Sequence, residues 1–243
     1  MKSPGTDAEL RVTRDSQGDW HRNIVSLRRS IELYADLVDD PRDVDVLTRH
    51  EMAIKQARGE PAIITRPFED AAIYDPVAAA IRWPFEHPAF SRYSRGISGV
   101  WYGAASIETS VRETVYHFRR NTLASQVAAH SKVPIVQERR VHLVHCNALL
   151  IDLRARTRKE PRLLDPDDYS ACQALGAELR DAGMPGVLTY SARHAKSEIV
   201  AVFTPTVLAD PRTVCYLTYT LATDTGKVVV ERTPGKVEFE LRP

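Results

Sequence analysis

GVWYGAASIETSVRETVYHF, residues 99–118, contains the change of hydrophobic period on which the fold turns. Gly99 to Ala105 is short, apolar and bounded by glycine, which predicts a buried strand carrying Tyr102. From Ser106 onward, Ile107, Val111, Val115 and Phe118 recur at helical spacing, and Ser106 has the hydroxyl an N-cap needs. A buried strand therefore passes through one tight turn into an amphipathic helix. On that helix Thr109, Glu113 and His117 follow at successive i+4 steps, so they share a polar face beside the apolar stripe.

Downstream, KVPIVQ (132–137), VHLVH (141–145) and ALLIDL (148–153) read as strands. DPDD (165–168) opens a helix that Gly183 closes, with Tyr169, Cys172, Leu175 and Leu179 turned inward. GVLTYS (186–191) and EIVAVF (198–203) are two more apolar strands, joined by the polar loop ARHAKS (192–197). TVCYLTYT (213–220), the turn TDTG (223–226) and KVVVER (227–232) predict a hairpin, with VEFEL (237–241) as a last strand. Upstream, HRNIVSL (21–27) is a short strand, and Asp39-Asp40-Pro41 starts a helix that buries Val44, Leu47 and Ile54. Between Gly59 and Arg95, Pro61, Pro67, Pro76, Pro84 and Pro88 interrupt every long element and leave one or two helical turns at DPVAAAIRW (75–83). Loop-rich ground of that length suits a segment that covers a substrate.

The pattern predicts an α+β fold, with mixed and antiparallel sheets and flanking helices. Residues 1–20 are polar and aperiodic and read as a flexible arm. Residues 21–210 form one domain, and residues 211–243 form a β-hairpin extension packed on it.

Composition excludes several classes of function. Thirty-three basic residues against 32 acidic ones leave a net charge of +1, so no electrostatic case exists for nucleic acid or an acidic membrane surface. No run approaches the roughly 20 apolar residues of a membrane span. The N-terminal residues hold no apolar signal region, so general secretory export is not expected, although a specialised secretion system would leave no such mark. Cys146, Cys172 and Cys215 are odd in number and widely spaced, which suits a reducing cytoplasm rather than a disulfide framework.

Motif elimination narrows the chemistry further. No P-loop, no GxGxxG after a strand, no HExxH and no GxSxG occurs. His142 and His145, three apart in a strand, face opposite ways, and no histidine has a carboxylate or thiol at a metal-like spacing, so no metal site is expected. Arg92, Tyr102, Glu113 and Ser191 remain. Taken singly, each has an ordinary structural reading: a surface ion pair, core packing, a solvated helix face and a strand end. Taken together they suit a cleft. Glu113 borders the apolar stripe, and Arg92 lies in the loop Ser91-Arg92-Tyr93-Ser94-Arg95-Gly96, whose donors suit an oxyanion or a phosphate.

These blocks, in this order, resemble the RES domain, a family named for its Arg, Glu and Ser. HPAFSRYSRG (87–96), GVWYGAASIETSVRETVYH (99–117), LLDPDDYSACQALGAELRDAGMPGVLTYSARH (163–194) and EIVAVFTP (198–205) carry the resemblance. It extends back through HRNIVS (21–26) and LYADLVDDPRD (33–43), covering roughly residues 20–210. The resemblance implies a fold like that of the diphtheria-toxin-like ADP-ribosyltransferases. It also implies the toxin half of a bacterial toxin–antitoxin pair, consuming NAD and held inactive by an Xre-type antitoxin.

By the same resemblance Arg92, Glu113 and Ser191 are the catalytic set. Tyr102 is the strand tyrosine beside nicotinamide, and Thr109 and His117 support Glu113 from its own helix face. NAD is then the substrate of a phosphorylase or glycohydrolase, with inorganic phosphate, water or a protein side chain as acceptor. The alternatives are a mono-ADP-ribosyltransferase and an inactive binding domain. One departure bears on the site. Ala195, Lys196 and Ser197 stand where the family has glycines, and Ile199 replaces its cysteine, so a differently shaped loop is expected after Ser191.

Overall fold

The computed structural model describes residues 12–26, 77, 79–125 and 133–243. The helix expected after Asp39-Asp40-Pro41 and most of the proline-rich stretch before Val77 lie outside the described residues. The chain divides into two compact units: Met1–Arg22, Pro76–Glu113 and His142–Thr213 make the first, and Asn23–Asp75, Thr114–Val141 and Val214–Pro243 the second.

In the first unit, β1 (Val12–Val25) starts well before the expected His21. Residues 12–20 are strand rather than flexible arm. The sequence VTRDSQGDW has no apolar alternation, so its pattern carried no sign of the strand. A short helix, α1 (Ala79–Glu86), buries Ala79, Ala80 and Ile81. A two-rung hairpin, β2 (Phe90–Ser91) and β3 (Ser94–Arg95), follows. Then comes the strand–turn–helix expected from residues 99–118, as β4 (Trp101–Ala104) and α2 (Ile107–Leu123). The Ser106 Oγ accepts the Thr109 N–H at 3.1 Å, the N-cap bond that fixes where the helix begins. Val111, Val115 and Phe118 are buried along it, and Ile107 is half-buried.

Where three strands were expected, one continuous strand forms, β5 (Ile135–Asp152). No glycine or proline lies between Gln137 and Ala148 to interrupt it. Two short elements were not anticipated, α3 (Arg154–Lys159) and the 3-10 turn Pro161–Leu164. RARTRK has no apolar stripe, and the helix starts instead on the Asp152 carboxylate, which accepts the Arg154 N–H at 2.9 Å. The last helix, α4 (Ser170–Asp181), ends where glycine was expected to close it. Gly183 takes φ 71°, its N–H reaches Arg180 O, and the Met184 N–H reaches Leu179 O, the paired bonds of a Schellman cap. β6 (Gly186–Tyr190) and β7 (Glu198–Val202) complete the unit.

Its strands lie in the order β1-β4-β7-β6-β5. β4 and β6 both pair antiparallel with β7, and β5 runs parallel to β6 at Ile151↔Val187. Alternation along the strands separates two cores. Trp101, Val144, Leu150, Leu188, Val200 and Val202 belong to one, with Trp20 and Ile81. Ile151, Val187 and Ala201 belong to the other, with Tyr93 and the inward face of α4, including Cys172, Leu175 and Leu179. Trp101, fully buried, donates its indole N–H to Ala80 O at 2.8 Å, so no polar atom of that ring is orphaned.

In the second unit, the expected hairpin and last strand form. β8 (Leu208–Leu221), which begins in the first unit, pairs antiparallel with β9 (Val228–Thr233), and β9 with β10 (Lys236–Leu241). Tyr219 is its buried centre. The hydroxyl accepts from Asn23 Nδ2 at 2.9 Å and shares a 2.9 Å bond with Thr114 Oγ1. The buried Arg139 guanidinium stands 5.5 Å over its ring and donates to Asn23 Oδ1 and O, each at 3.0 Å. Among the described residues no helix is long and apolar enough to cross a membrane.

Candidate active site

The site is built in the first unit from α2, the loop after β6, and the β2–β3 hairpin. On α2, Thr109 is fully buried in the first turn, its Oγ1 2.8 Å from Ser106 Oγ. Glu113 follows one turn later, half-buried.

The loop after β6 closes on itself through two backbone bonds, Ser191 N–H to Ser197 O at 2.7 Å and Ser197 N–H to His194 O at 3.1 Å. Inside it, the Ser191 Oγ accepts the N–H of Arg193 at 3.0 Å and that of His194 at 2.9 Å. A serine hydroxyl has two accepting positions and one proton. Both accepting positions are filled by backbone, and the proton is directed at Glu113 Oε1, 2.5 Å away. This short, charge-assisted bond joins the helix to the loop and fixes one carboxylate oxygen. The ring of His194 makes a second tie: Nδ1 lies 2.9 Å from Thr109 Oγ1 and 3.0 Å from Ser197 Oγ. Lys196 takes φ 64°, a conformation glycine adopts more easily, so the loop turns there at a residue that carries a Cβ.

Arg92 belongs to a second cluster, tied to the loop after β6 where Arg193 Nη2 donates to the Tyr169 hydroxyl at 3.4 Å. The Tyr102 hydroxyl accepts the N–H of Tyr93 and donates to Ser91 Oγ, both at 3.0 Å, and so grips the residues on either side of Arg92. Burial pushes this phenol up to about 12. α4 holds the same hairpin from below: Gln173 Nε2 donates to Ser91 O at 3.1 Å and Ser94 O at 3.3 Å, and Arg180 Nη1 to Tyr93 O at 2.8 Å. Gly176 permits this approach, since a Cβ there would lie 2.6 Å from Tyr93 O. The Arg92 guanidinium stands 4.6 Å over the Tyr169 ring and donates to Leu163 O at 3.3 Å. Tyr169 is stacked on Phe90 on the same hairpin.

The structure thus joins Glu113 directly to Ser191 and brings Thr109 to the same loop. Tyr102 serves the Arg92 hairpin through its hydroxyl. His117, in the second unit, is exposed with its ring edge-on to Tyr116. Thr109 is fully buried, its hydroxyl within bonding distance of Ser106 and His194. Two participants were missed. His194 and Tyr169 were read as a loop residue and an inward helix residue, and only the position of His194, three residues after Ser191, hinted at more. Among the described residues no group of three or more His, Cys, Asp or Glu could hold a metal ion. The cysteines are buried and unpaired, and burial pushes the Cys146 thiol up to about 11.

The fold is α+β with a mostly antiparallel sheet. The family model described as the RES domain matches residues 64–222, and the chain belongs to that family. Among solved structures it is similar to one titled as the M. tuberculosis MbcT–MbcA toxin–antitoxin complex. That likeness has 17% identity and a TM-score of 0.38, and covers 55% of this chain and 73% of that one. No curated protein sequence matches the chain.

Proposed function

We propose that this chain degrades NAD as a phosphorylase or glycohydrolase, cleaving the bond between nicotinamide and ribose, and that it acts as the toxin of a toxin–antitoxin pair restrained by an Xre-type antitoxin. The observation that carries the reading is the Glu113 carboxylate pinned by the Ser191 hydroxyl, in a chain of the RES family. Nicotinamide in NAD is a positively charged leaving group, so it departs as a neutral molecule with the bonding pair and needs no general acid. What the protein must supply is stabilisation of an oxocarbenium-like ribose. Glu113 does this by balancing the growing positive charge and accepting from the ribose hydroxyls. The acceptor's oxygen then bonds C1′ and releases its proton to solvent, giving ADP-ribose 1″-phosphate from phosphate or ADP-ribose from water.

Arg92 binds a pyrophosphate oxygen or the incoming phosphate, as a guanidinium forks onto such groups. Its stacking on Tyr169 orients the fork before substrate arrives. Ser191, with its hydroxyl fully engaged, holds Glu113 rather than the substrate.

The test uses wild-type protein freed of any antitoxin, with nicotinamide release and NAD loss followed in buffers with and without phosphate. Wild type consumes NAD and Glu113→Gln loses about 100-fold or more of the rate. Faster turnover with phosphate selects the phosphorylase, and equal inertness of the two proteins refutes the reading. Labelled NAD that leaves its label on a protein band would move the assignment to a transferase.

A further inference from the structure

We propose that His194 is a positioning residue of this site, latching the first turn of α2 to the loop after β6 so that Ser191 meets Glu113 in register; the role in turnover rests on the NAD-degrading reading above. Two independent ties support it. The His194 backbone N–H donates to Ser191 Oγ at 2.9 Å, so the residue shapes the hydroxyl that touches Glu113. Its ring Nδ1 is within bonding distance of Thr109 Oγ1 at 2.9 Å, one helical turn before Glu113 on the same face, and of Ser197 Oγ at 3.0 Å.

The contacts form a closed circuit: Thr109 to His194, His194 to Ser191, Ser191 to Glu113, and Glu113 back to Thr109 along the helix. A circuit holds distances that a single bond leaves adjustable. The ring is partly covered, with 27% of its side chain exposed, and its Nε2 lies 3.9 Å from Glu108 Oε1.

The latch also explains how the loop closes without glycines. Lys196 occupies the left-handed region at φ 64°, a conformation an L-residue with a Cβ adopts at a cost. Ser197 supplies the hydroxyl that His194 binds. Ser191 N–H to Ser197 O at 2.7 Å completes the ring of bonds around it. His194 and Ser197 therefore work as a pair.

The experiment compares wild type, His194→Ala and His194→Asn. The asparagine amide reaches nearly the same point as Nδ1 and can bond both hydroxyls. Amide hydrogen exchange on the protein alone is the first measurement. His194→Ala speeds exchange of Arg193 and Ser197 about 10-fold or more while β5 keeps its protection, and His194→Asn behaves as wild type. Steady-state NAD consumption is the second. His194→Ala lowers kcat about 10- to 100-fold with KM within about threefold, and His194→Asn recovers to within about threefold of wild type. Local exchange unchanged in His194→Ala, exchange raised evenly through β5, a kcat equal to wild type, or an asparagine as poor as alanine would each overturn the latch. Wild type inert toward NAD would remove the functional reading instead, and the exchange comparison would still decide the latch.

Discussion

Replacing Ser191 with alanine tests the central bond of the site. The substitution removes the donor to Glu113 Oε1 at 2.5 Å and the acceptor of two backbone N–H groups, from Arg193 and His194. A hydrogen bond to a charged group contributes about 1.5–3 kcal/mol. At about 1.4 kcal/mol per tenfold in rate, its loss from the transition state predicts a fall in kcat of about 10- to 150-fold. KM should stay within about threefold, because the Ser191 hydroxyl has no capacity left for a ligand.

Stability falls as well. Ser191 is only 5% exposed, and orphaning buried donors costs about 1–3 kcal/mol. A net loss of about 2 kcal/mol lowers Tm by about 4–8 °C in a chain of this length. Nicotinamide release at several NAD concentrations, measured well below Tm, separates the two effects. A KM raised tenfold with kcat unchanged would place Ser191 against the substrate and refute the reasoning.

Other perturbations address the supports of Arg92 and the fold's ion pairs. In Gly176→Ala the new Cβ meets Tyr93 O at 2.6 Å, so α4 or the hairpin must shift; a loss of about 1–3 kcal/mol in denaturant unfolding is expected, with weaker NAD binding. Tyr102→Phe leaves the Tyr93 N–H unaccepted and should cost about 1–3 kcal/mol by the same measurement. Because burial raises the Tyr102 phenol from its ordinary 10.0 to about 12, its contribution is fully present below pH 10 and is lost as pH rises through about 12. The alkaline limb of a stability profile should therefore flatten in Tyr102→Phe. Asp152 behaves oppositely. Its hydrogen bonds from the Arg154 side chain hold its carboxyl below the usual range, so its stabilisation is present above the unfolded value near 3.8 and lost as pH falls through the depressed one. Asp152→Asn should remove that acid-side slope, read by unfolding between pH 2 and pH 5.

Much of the fold was legible because its elements follow single periods. β4 and α2 are separated by a change from period two to period 3.6, and Ser106 marks the junction with its own hydroxyl. Gly183 announced the end of α4 because its left-handed φ is one that side chains with a Cβ resist. Val12–Trp20 and α3 were not legible: polar ties, Asp19 to His145 and Arg212 in one and Asp152 to Arg154 in the other, leave no hydrophobic pattern. The same distinction holds in the site. Glu113 and Ser191 stood out by their places on the helix and after the strand, and the family resemblance joined them, whereas His194 and Tyr169 act through contacts between segments far apart in the chain, Thr109 with His194 and Arg92 with Tyr169. A loop histidine looks alike in sequence whether it faces water or a threonine.

The saturated oxygen of Ser191 also bears on how the protein could be inhibited. Acylating and phosphonylating reagents require a serine lone pair free to attack, and here both are engaged by the Arg193 and His194 amides. Such reagents should leave Ser191 unlabelled even with Glu113 beside it as a base. Reversible ligands have a better foothold. On the NAD-degrading reading, a compound that sets a cation against Glu113 would meet a carboxylate that Ser191 already holds in place, and would gain nothing from a warhead built for serine hydrolases.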